Sequence, residues 1–133
     1  MEPLGFEVKL AQPFEQAVET VTAALKTQGF GVLTRIDVKA TLKEKLGVDF
    51  RPYTILGACN PPLAHQALVT DPWIGLMLPC NVTVEALNEK ECLVRLTDPA
   101  AMVNFSEKAN EMTELAKSGH SKMLAVTEVL KSA

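Results

Sequence analysis

The sequence predicts a single α+β domain over residues 1–133, in which a mainly antiparallel sheet carries two long helices on one face. The chain has 133 residues, near the usual size of one domain, and no linker or internal repeat divides it. Several short runs alternate apolar and polar residues, as half-buried strands do. Two longer segments space their apolar residues three and four apart, as amphipathic helices do. The expected order is therefore β-α-β-β-β-β-α, with short helical insertions.

The first half of the chain begins with a strand and a long helix. Phe6, Val8 and Leu10 alternate with charged residues, which predicts a half-buried strand. Pro13 suits the first turn of the helix that follows, and Gly29 suits its C-terminal cap. A second strand is predicted in the segment that follows this cap.

Further elements are predicted from alternation and capping residues. Lys39–Leu46 shows helical spacing, and its lysines are expected on a solvated face. Tyr53–Cys59 alternates as a strand. Asn60 is a good N-cap for a brief helix from about Pro61 to Val69.

The second half of the chain contains the longest strand candidate, Ile74–Ala86. Pro79 cannot donate a hydrogen bond to a neighbouring strand, so this strand is expected at an edge or with a bulge. Cys92–Thr97 gives the fifth strand. Asp98 with Pro99 predicts a short helix through Val103. Ser106 then caps one continuous long helix, for which a break at Gly119 is the alternative.

Composition excludes several classes of partner. A net charge of -3 and a pI near 5.4 give no general attraction to phosphate, which predicts no nucleic-acid partner and no membrane partner. The chain opens without the basic and apolar regions of a secretory signal, and no apolar run approaches the ~20 residues of a membrane span. A cytoplasmic protein with three reduced cysteines is the expectation.

A surplus of apolar residues on the predicted strands suggests self-association. One covered face cannot hold all of them, so a homodimer through the second face of the sheet is inferred. The residues concerned are Phe30, Val32, Ile36, Leu76, Leu78, Val82 and Leu93.

Two Cys-Asn pairs are the best candidates for a functional site. The predicted pocket takes a small ligand or a metal, and its residues are Tyr53, Cys59, Asn60, Cys80 and Asn81. Cys59 precedes a helix N-terminus, where a thiol pKa falls and anions are favoured.

One possibility is that this pocket is a metal-binding site. Cys59 and Cys80, with His65 or His120, could hold zinc or copper(I), although their spacing matches no zinc-finger pattern. If the third and fourth strands pair in antiparallel fashion, Cys80 is expected about 16 Å along from Cys59. A short connection favours that pairing.

Other interpretations of these residues stay open. A thiol enzyme or redox protein would use Cys59 as nucleophile and His65 as base, but the chain lacks a resolving CxxC motif, so a non-catalytic binding domain is favoured. A structural or assembly role with no site is a further alternative. Cys80 and Cys92 fall on apolar faces, where free cysteine usually packs, and Asn60 is explained by capping alone.

The two Cys-Asn segments carry a resemblance to a known family. Gly57–Pro61 (GACNP) and Leu78–Val82 (LPCNV) resemble a bacterial and archaeal family catalogued as domain of unknown function number 302. The resemblance implies a small α+β domain similar in topology to half of a TATA-box-binding protein, commonly seen as a dimer. It implies no established activity, and the cofactor stays unknown.

Overall fold

Five strands form one antiparallel sheet in the order β1-β5-β4-β3-β2, which confirms the predicted α+β class. The computed structural model describes residues 4–133. Its strands and α-helices are β1 (Gly5–Leu10), α1 (Phe14–Lys26), β2 (Gly31–Asp37), α2 (Val38–Leu46), β3 (Tyr53–Cys59), α3 (Pro61–Thr70), β4 (Cys80–Ala86), β5 (Cys92–Thr97), α4 (Pro99–Val103) and α5 (Thr113–Lys131). Two 3-10 helices, Pro72–Met77 and Ala109–Met112, complete the description.

The two long helices, α1 and α5, cover one face of the sheet, as predicted. Val21 and Leu25 of α1 meet Met123 and Val126 of α5 in one buried cluster, together with inward residues of every strand. Burial of apolar surface at roughly 25 cal/mol per Å² makes this cluster the main source of stability. The sequence pattern therefore identified the helices and the faces that they bury.

Several helices begin where a side chain satisfies the free N–H groups of the first turn. Asp37 Oδ1 accepts from the Ala40 N–H at 2.9 Å and begins α2. Asp98 Oδ1 accepts from the Ala100 N–H at 3.0 Å and begins α4. These bonds explain why short, weakly amphipathic helices form at the predicted places.

The predicted strand Ile74–Ala86 is wrong in its first half. Pro72–Met77 is a 3-10 helix, and the strand begins only at Cys80. Asp71 Oδ1 accepts from the Trp73 N–H at 3.1 Å, so the Asp71-Pro72 pair starts a helical turn instead of only ending the previous helix. The capping geometry outweighs the alternation of apolar residues in this segment.

The expected edge position of β4 is also wrong, because β4 lies in the interior of the sheet between β3 and β5. Pro79 precedes the strand, and the Leu78–Pro79 peptide bond is cis. A proline outside the ladder removes no ladder hydrogen bond, so it does not restrict the position of the strand. The irregularity in the sheet lies instead in β2, between Val32 and Thr34.

The uncovered face of the sheet carries only part of the apolar surplus that the sequence predicts for it. Phe30 and Val82 belong to the helix-covered core, and Leu76 is exposed on the first 3-10 helix, off the sheet. Charged residues occupy the centre of the uncovered face: the buried Glu85 accepts hydrogen bonds from Arg51 and, at 2.7 Å, from Arg95. Of the predicted surplus residues, Ile36 and Leu93 do lie on this face, where they pair with Ile55 and Glu85.

The last helix, α5, is continuous through Gly119, so the alternative of a break there is wrong. Helix α5 begins at Thr113, later than predicted, because Ser106 does not cap it. The Ser106 hydroxyl instead donates to Asp71 and accepts from the Lys108 N–H at 3.0 Å. Within the described part of the chain, no helix is both long and apolar enough to cross a lipid bilayer.

Candidate functional site

A cavity of about 300 Å³ lies at the end of the sheet where β3 finishes and β4 begins. Helices α3, α4 and α5 and the 3-10 helix Pro72–Met77 form the rest of its wall. Its walls are almost wholly apolar and include no charged residue. Its lining includes the apolar side chains of Ala58, Leu63, Ala67, Ile74, Met102 and Val103.

The two site cysteines line this cavity together. The register pairs Ala58 with Cys80, so Cys80 lies beside the residue that precedes Cys59. The expected separation of about 16 Å along the strand is therefore wrong. A separation of 16 Å requires Ile74–Met77 to be strand residues, whereas the strand starts at Cys80.

The environment of Cys80 keeps its thiol protonated. Burial raises the pKa of Cys80 to about 11, and Cys59 and Asp98 add smaller contributions in the same direction. The Cys80 thiol donates to the Met102 sulfur, which lies 3.6 Å away. Cys80 is thus a neutral, apolar-facing thiol at neutral pH, while Cys59 is partly exposed at the strand end.

Asn60 acts as the cap that the sequence predicted and also ties two segments together. Its Oδ1 accepts from the Leu63 N–H at 3.3 Å at the start of α3, and its Nδ2 donates to the Gln28 carbonyl at 3.0 Å. Gly29, next to that carbonyl, has a positive φ of 81°. Because each end of the buried amide has a partner within the protein, Asn60 holds this part of the cavity wall in place.

Tyr53 and Asn81 do not join the other three predicted site residues. Both border a shallow depression on the uncovered face of the sheet, beside Thr83 and Arg95. Adjacent residues of a strand point to opposite faces, so Asn81 must face away from Cys80. The structure therefore brings together Cys59, Asn60 and Cys80, and separates Tyr53 and Asn81 from them.

Neither histidine joins the thiols. His65 is exposed on α3 and lies outside the cavity wall. His120, on α5, has its Nδ1 2.7 Å from Asp98 Oδ2 and its ring 5.5 Å from that of Phe6. The imidazoles proposed as base or third metal ligand are thus placed elsewhere. Among residues 4–133, no three or more His, Cys, Asp or Glu side chains gather where they could hold a metal ion.

Sequence reasoning missed the contribution of α4 and α5 to the cavity. Pro99 and Met102 of α4 and Gly119 of α5 all line it. A Cβ atom placed on Gly119 would lie 2.7 Å from the Pro99 Cβ, so the absence of a side chain lets these two helices meet. Small residues near the middle of α5 signalled a close approach, but its partner depends on the tertiary fold.

Comparisons with known proteins agree on one family. The family model described as "Domain of unknown function DUF302" matches residues 6–130. A solved structure, described as the crystal structure of uncharacterized conserved protein DUF302 from Bacillus stearothermophilus, is 26% identical with a TM-score of 0.79. The match covers 97% of this chain and 97% of that chain. The comparison with curated proteins found no match.

Proposed function

The chain belongs to the DUF302 family, and from that premise we propose that it is a non-catalytic domain that binds a small, uncharged, apolar ligand in the cavity beside Cys59 and Cys80. The observation that carries the proposal is the cavity itself, because small-molecule sites are mostly apolar concavities with a few polar groups in their walls. Its volume of about 300 Å³ lies at the lower end of the range for small-molecule sites, which is about 300–1,000 Å³, so it suits a small ligand.

The polar groups of the wall limit the chemistry of the ligand. No charged residue lines the cavity, and a charged ligand would lose its hydration without compensation. The thiol of Cys80 already donates to Met102, and Asn60 is engaged at both ends. An aromatic or aliphatic molecule is therefore favoured over an anion.

The same environment disfavours a metal at this site. A metal-binding thiol must lose its proton, and burial raises the pKa of Cys80 to about 11. Cys59 is the only other cysteine in the wall. Elemental analysis of protein purified without chelators should find no stoichiometric metal.

Toluene is a suitable probe of the cavity, observed through methyl resonances in NMR spectra. We expect saturable shifts of the Ala58 and Met102 methyl groups, which line the cavity, and none for the buried Met123, which does not line it. Ala64→Phe should fill the space and abolish the shifts. The control Ala40→Phe adds the same ring on the exposed face of α2 and should leave them intact.

No saturable shift with toluene or naphthalene would overturn the binding proposal. Equal shifts of Met102 and Met123 would also overturn it, because they would indicate general partitioning into the core. These two methyl groups lie in the same folded domain, so a folding defect cannot produce a selective loss.

A thiol enzyme is the second candidate, and Cys59 is its only partly exposed thiol. A nucleophile with a histidine base needs the two groups within hydrogen-bond reach, whereas His65 lies outside the cavity wall that Cys59 helps to form. His65→Ala should therefore leave the rate of Cys59 alkylation by iodoacetamide unchanged. A large decrease in that rate would favour the enzyme.

Homodimerisation remains part of the proposal, through the uncovered face of the sheet. Tyr53, Ile55 and Leu93 are half-buried there, around the Glu85 ion pairs. Light scattering coupled to size-exclusion chromatography should give a dimer mass, and Ile55→Arg should give a monomer. A monomer in both proteins would contradict it.

A further inference from the structure

We propose that the depression on the uncovered face of the sheet is a second binding site, which takes a neutral sugar through the polar side chains of Tyr53, Asn81, Thr83 and Arg95. Tyr53 and Asn81 are predicted ligand-binding residues, and neither lines the apolar cavity. The inference goes beyond the proposed function, because this site has its own residues and its own class of ligand.

The polar side chains of the depression are held by neighbouring strands. Thr83 of β4 pairs with Arg95 of β5, and Asn81 lies on the same face of β4 as Thr83. Tyr53, from β3, borders the same depression. Its volume of about 400 Å³ falls within the range of small-molecule sites, which is about 300–1,000 Å³. The register of the sheet therefore sets the relative positions of these side chains.

The hydroxyl of Thr83 is the observation that points to a ligand. Its Oγ1 atom is buried, and within residues 4–133 it is the one buried side-chain nitrogen or oxygen without a hydrogen-bond partner. Leaving such an atom unpaired destabilises a protein, so unpaired buried polar atoms are rare in folded chains. This one borders a depression that is large enough for a small molecule. A ligand hydroxyl at this position would supply the partner.

Asn81 presents its side chain beside Thr83. Asn81 is exposed, and its hydrogen bond with Thr97 uses the backbone carbonyl, which accepts from the Thr97 hydroxyl at 2.6 Å. That bond leaves the side-chain amide for a ligand. The amide can donate through Nδ2 and accept through Oδ1.

Arg95 is fixed between two carboxylates. Its Nε donates to Glu7 at 3.0 Å, and its Nη1 donates to Glu85 at 2.7 Å. These bonds orient the planar guanidinium and leave Nη2 as a donor for a ligand. The charged residues that border the depression are Glu7 and Arg95, and their charges cancel. An ionic ligand of either sign therefore gains no net attraction there.

The hydrogen-bonding pattern of the depression matches hydroxyl groups. The hydroxyls of Tyr53 and Thr83 and the amide of Asn81 each offer both a donor and an acceptor. A carboxylate only accepts and an ammonium only donates, whereas a hydroxyl group does both. Leu4 and Phe6 also border the depression and provide apolar surface for the C–H groups of a sugar ring. A neutral sugar satisfies the polar and the apolar parts together.

Glucose, galactose and mannose are the probes, each titrated into the isotopically labelled, unmodified protein. We expect at least one of them to shift the backbone amide resonances of Asn81, Thr83 and Arg95 saturably. No saturable shift with any of the three sugars would overturn the site, and the Thr83 hydroxyl would then be a site for water only.

Two comparisons test the class of the ligand and its source. Glucuronate and glucosamine each add one charge to the glucose ring, and tighter binding of either than of all three neutral sugars would overturn the neutral class. The methyl glycoside of the sugar that binds separates two sources of the same ring. Equal affinity supports the terminal unit of a glycan, and binding of the free sugar alone supports a monosaccharide.

Thr83→Val keeps the shape of the side chain and removes its hydroxyl. The dissociation constant of the sugar should rise roughly three- to tenfold, because one hydrogen bond is lost. The midpoint of urea unfolding should stay the same or rise, because the substitution removes an unpaired polar atom. A lower midpoint with an unchanged dissociation constant would overturn the role of Thr83 in binding.

Thr54→Val is the matched control for Thr83→Val. Thr54 is buried on β3, on the opposite face of the sheet from Tyr53, and its hydroxyl donates to the Ile36 carbonyl at 2.9 Å. This control should lower the midpoint of urea unfolding and leave the affinity for the sugar unchanged. An equal loss of affinity in both variants would overturn the site.

The proposed homodimer uses the same face of the sheet and shares Tyr53 with this site. A dissociation constant for the sugar that rises with protein concentration would show that a second copy covers the depression, and would overturn the site. The toluene experiment reports on Ala58 and Met102, which do not border the depression. The sugar site and the apolar ligand site can therefore fail separately.

Discussion

Ala58 and Cys80 face each other across the antiparallel strands β3 and β4. This register places Cys59 and Cys80 in the wall of one cavity, although 21 positions separate them in the numbering of the chain. It also leaves Cys80 deeply buried, and the burial has measurable consequences for stability.

Because the thiol of Cys80 is buried, the free energy of unfolding should depend on pH in the alkaline range. Its pKa is about 11 in the folded protein against 9.0 for a free thiol. A pKa that is higher in the folded chain gives stability that is complete below about pH 9 and is lost as the pH rises toward 11, by roughly 2–3 kcal/mol. Urea unfolding from pH 8 to pH 11 measures this loss. The quantity to compare is the free energy of unfolding of the unmodified protein minus that of Cys80→Ala at each pH.

The control for that experiment is Cys59→Ala, which keeps the buried thiol and should keep most of the alkaline loss. An identical pH dependence in the unmodified protein and in Cys80→Ala would contradict the prediction. Lysine and tyrosine titration contributes equally to both proteins, so it cancels in the difference.

Glu85 should stabilise the fold only while it is ionised. The hydrogen bond from Arg95 is the main cause that lowers the pKa of Glu85 below 4.5, and Arg51 adds to it. The contribution is present in full above about pH 4.5 and is lost as the pH falls through the lower folded value. Glu85→Gln should cost about 1–3 kcal/mol at pH 7 and less at pH 3, as measured by urea unfolding.

Glu15→Gln is the matched control for Glu85. It breaks the Arg35–Glu15 pair, which lies on the surface with a distance of 3.0 Å, and should cost less than about 0.5 kcal/mol. Equal costs for the two variants at pH 7 would indicate that burial of Glu85 contributes nothing.

Asn60 should contribute more than an ordinary helix cap. Asn60→Ala removes both the bond from the Leu63 N–H and the bond to the Gln28 carbonyl, so we expect a loss of about 1–2 kcal/mol. Asp37→Ala removes one exposed cap and should cost about 0.5–1 kcal/mol. Urea unfolding compares them, and a smaller loss for Asn60→Ala than for Asp37→Ala would be contrary to expectation.

Gly119→Ala should destabilise the protein although alanine is the better helix former. Helix propensity alone predicts a gain of about 1 kcal/mol. The new Cβ atom would lie 2.7 Å from the Pro99 Cβ, so α4 and α5 must separate at the cavity wall, at a cost of about 1–3 kcal/mol. Thermal unfolding gives the sign directly.

Gly31→Ala is the control for Gly119→Ala. No heavy atom lies within 4 Å of a Cβ placed on Gly31, so its midpoint of thermal unfolding should stay the same or rise. A rise for Gly119→Ala would show that the contact with Pro99 relaxes without cost.

The sequence alone determined the types and the order of the main elements. It also determined the part of the candidate site at Asn60, where α3 begins. Alternation of apolar residues predicted β1, β3 and β5, and Asn60 before Pro61 predicted where α3 begins. These features depend on the spacing of neighbouring residues and on capping bonds within one turn, so they are visible in a local stretch of chain. Alternation is also enough to place Asn81 and Cys80 on opposite faces of the strand, although the predicted pocket combines them.

Only the tertiary structure decided which of the candidate residues meet. Apolar alternation extends the predicted β4 back to Ile74, whereas in the fold that segment is a 3-10 helix in which Ile74 packs in a cluster with Val103 and Met112. The true start of the strand brought Cys80 beside Ala58, and the contact of Pro99 with Gly119 closed the cavity wall. Register and helix packing depend on residues far apart in the chain, and local patterns carry no information about where those distant partners lie.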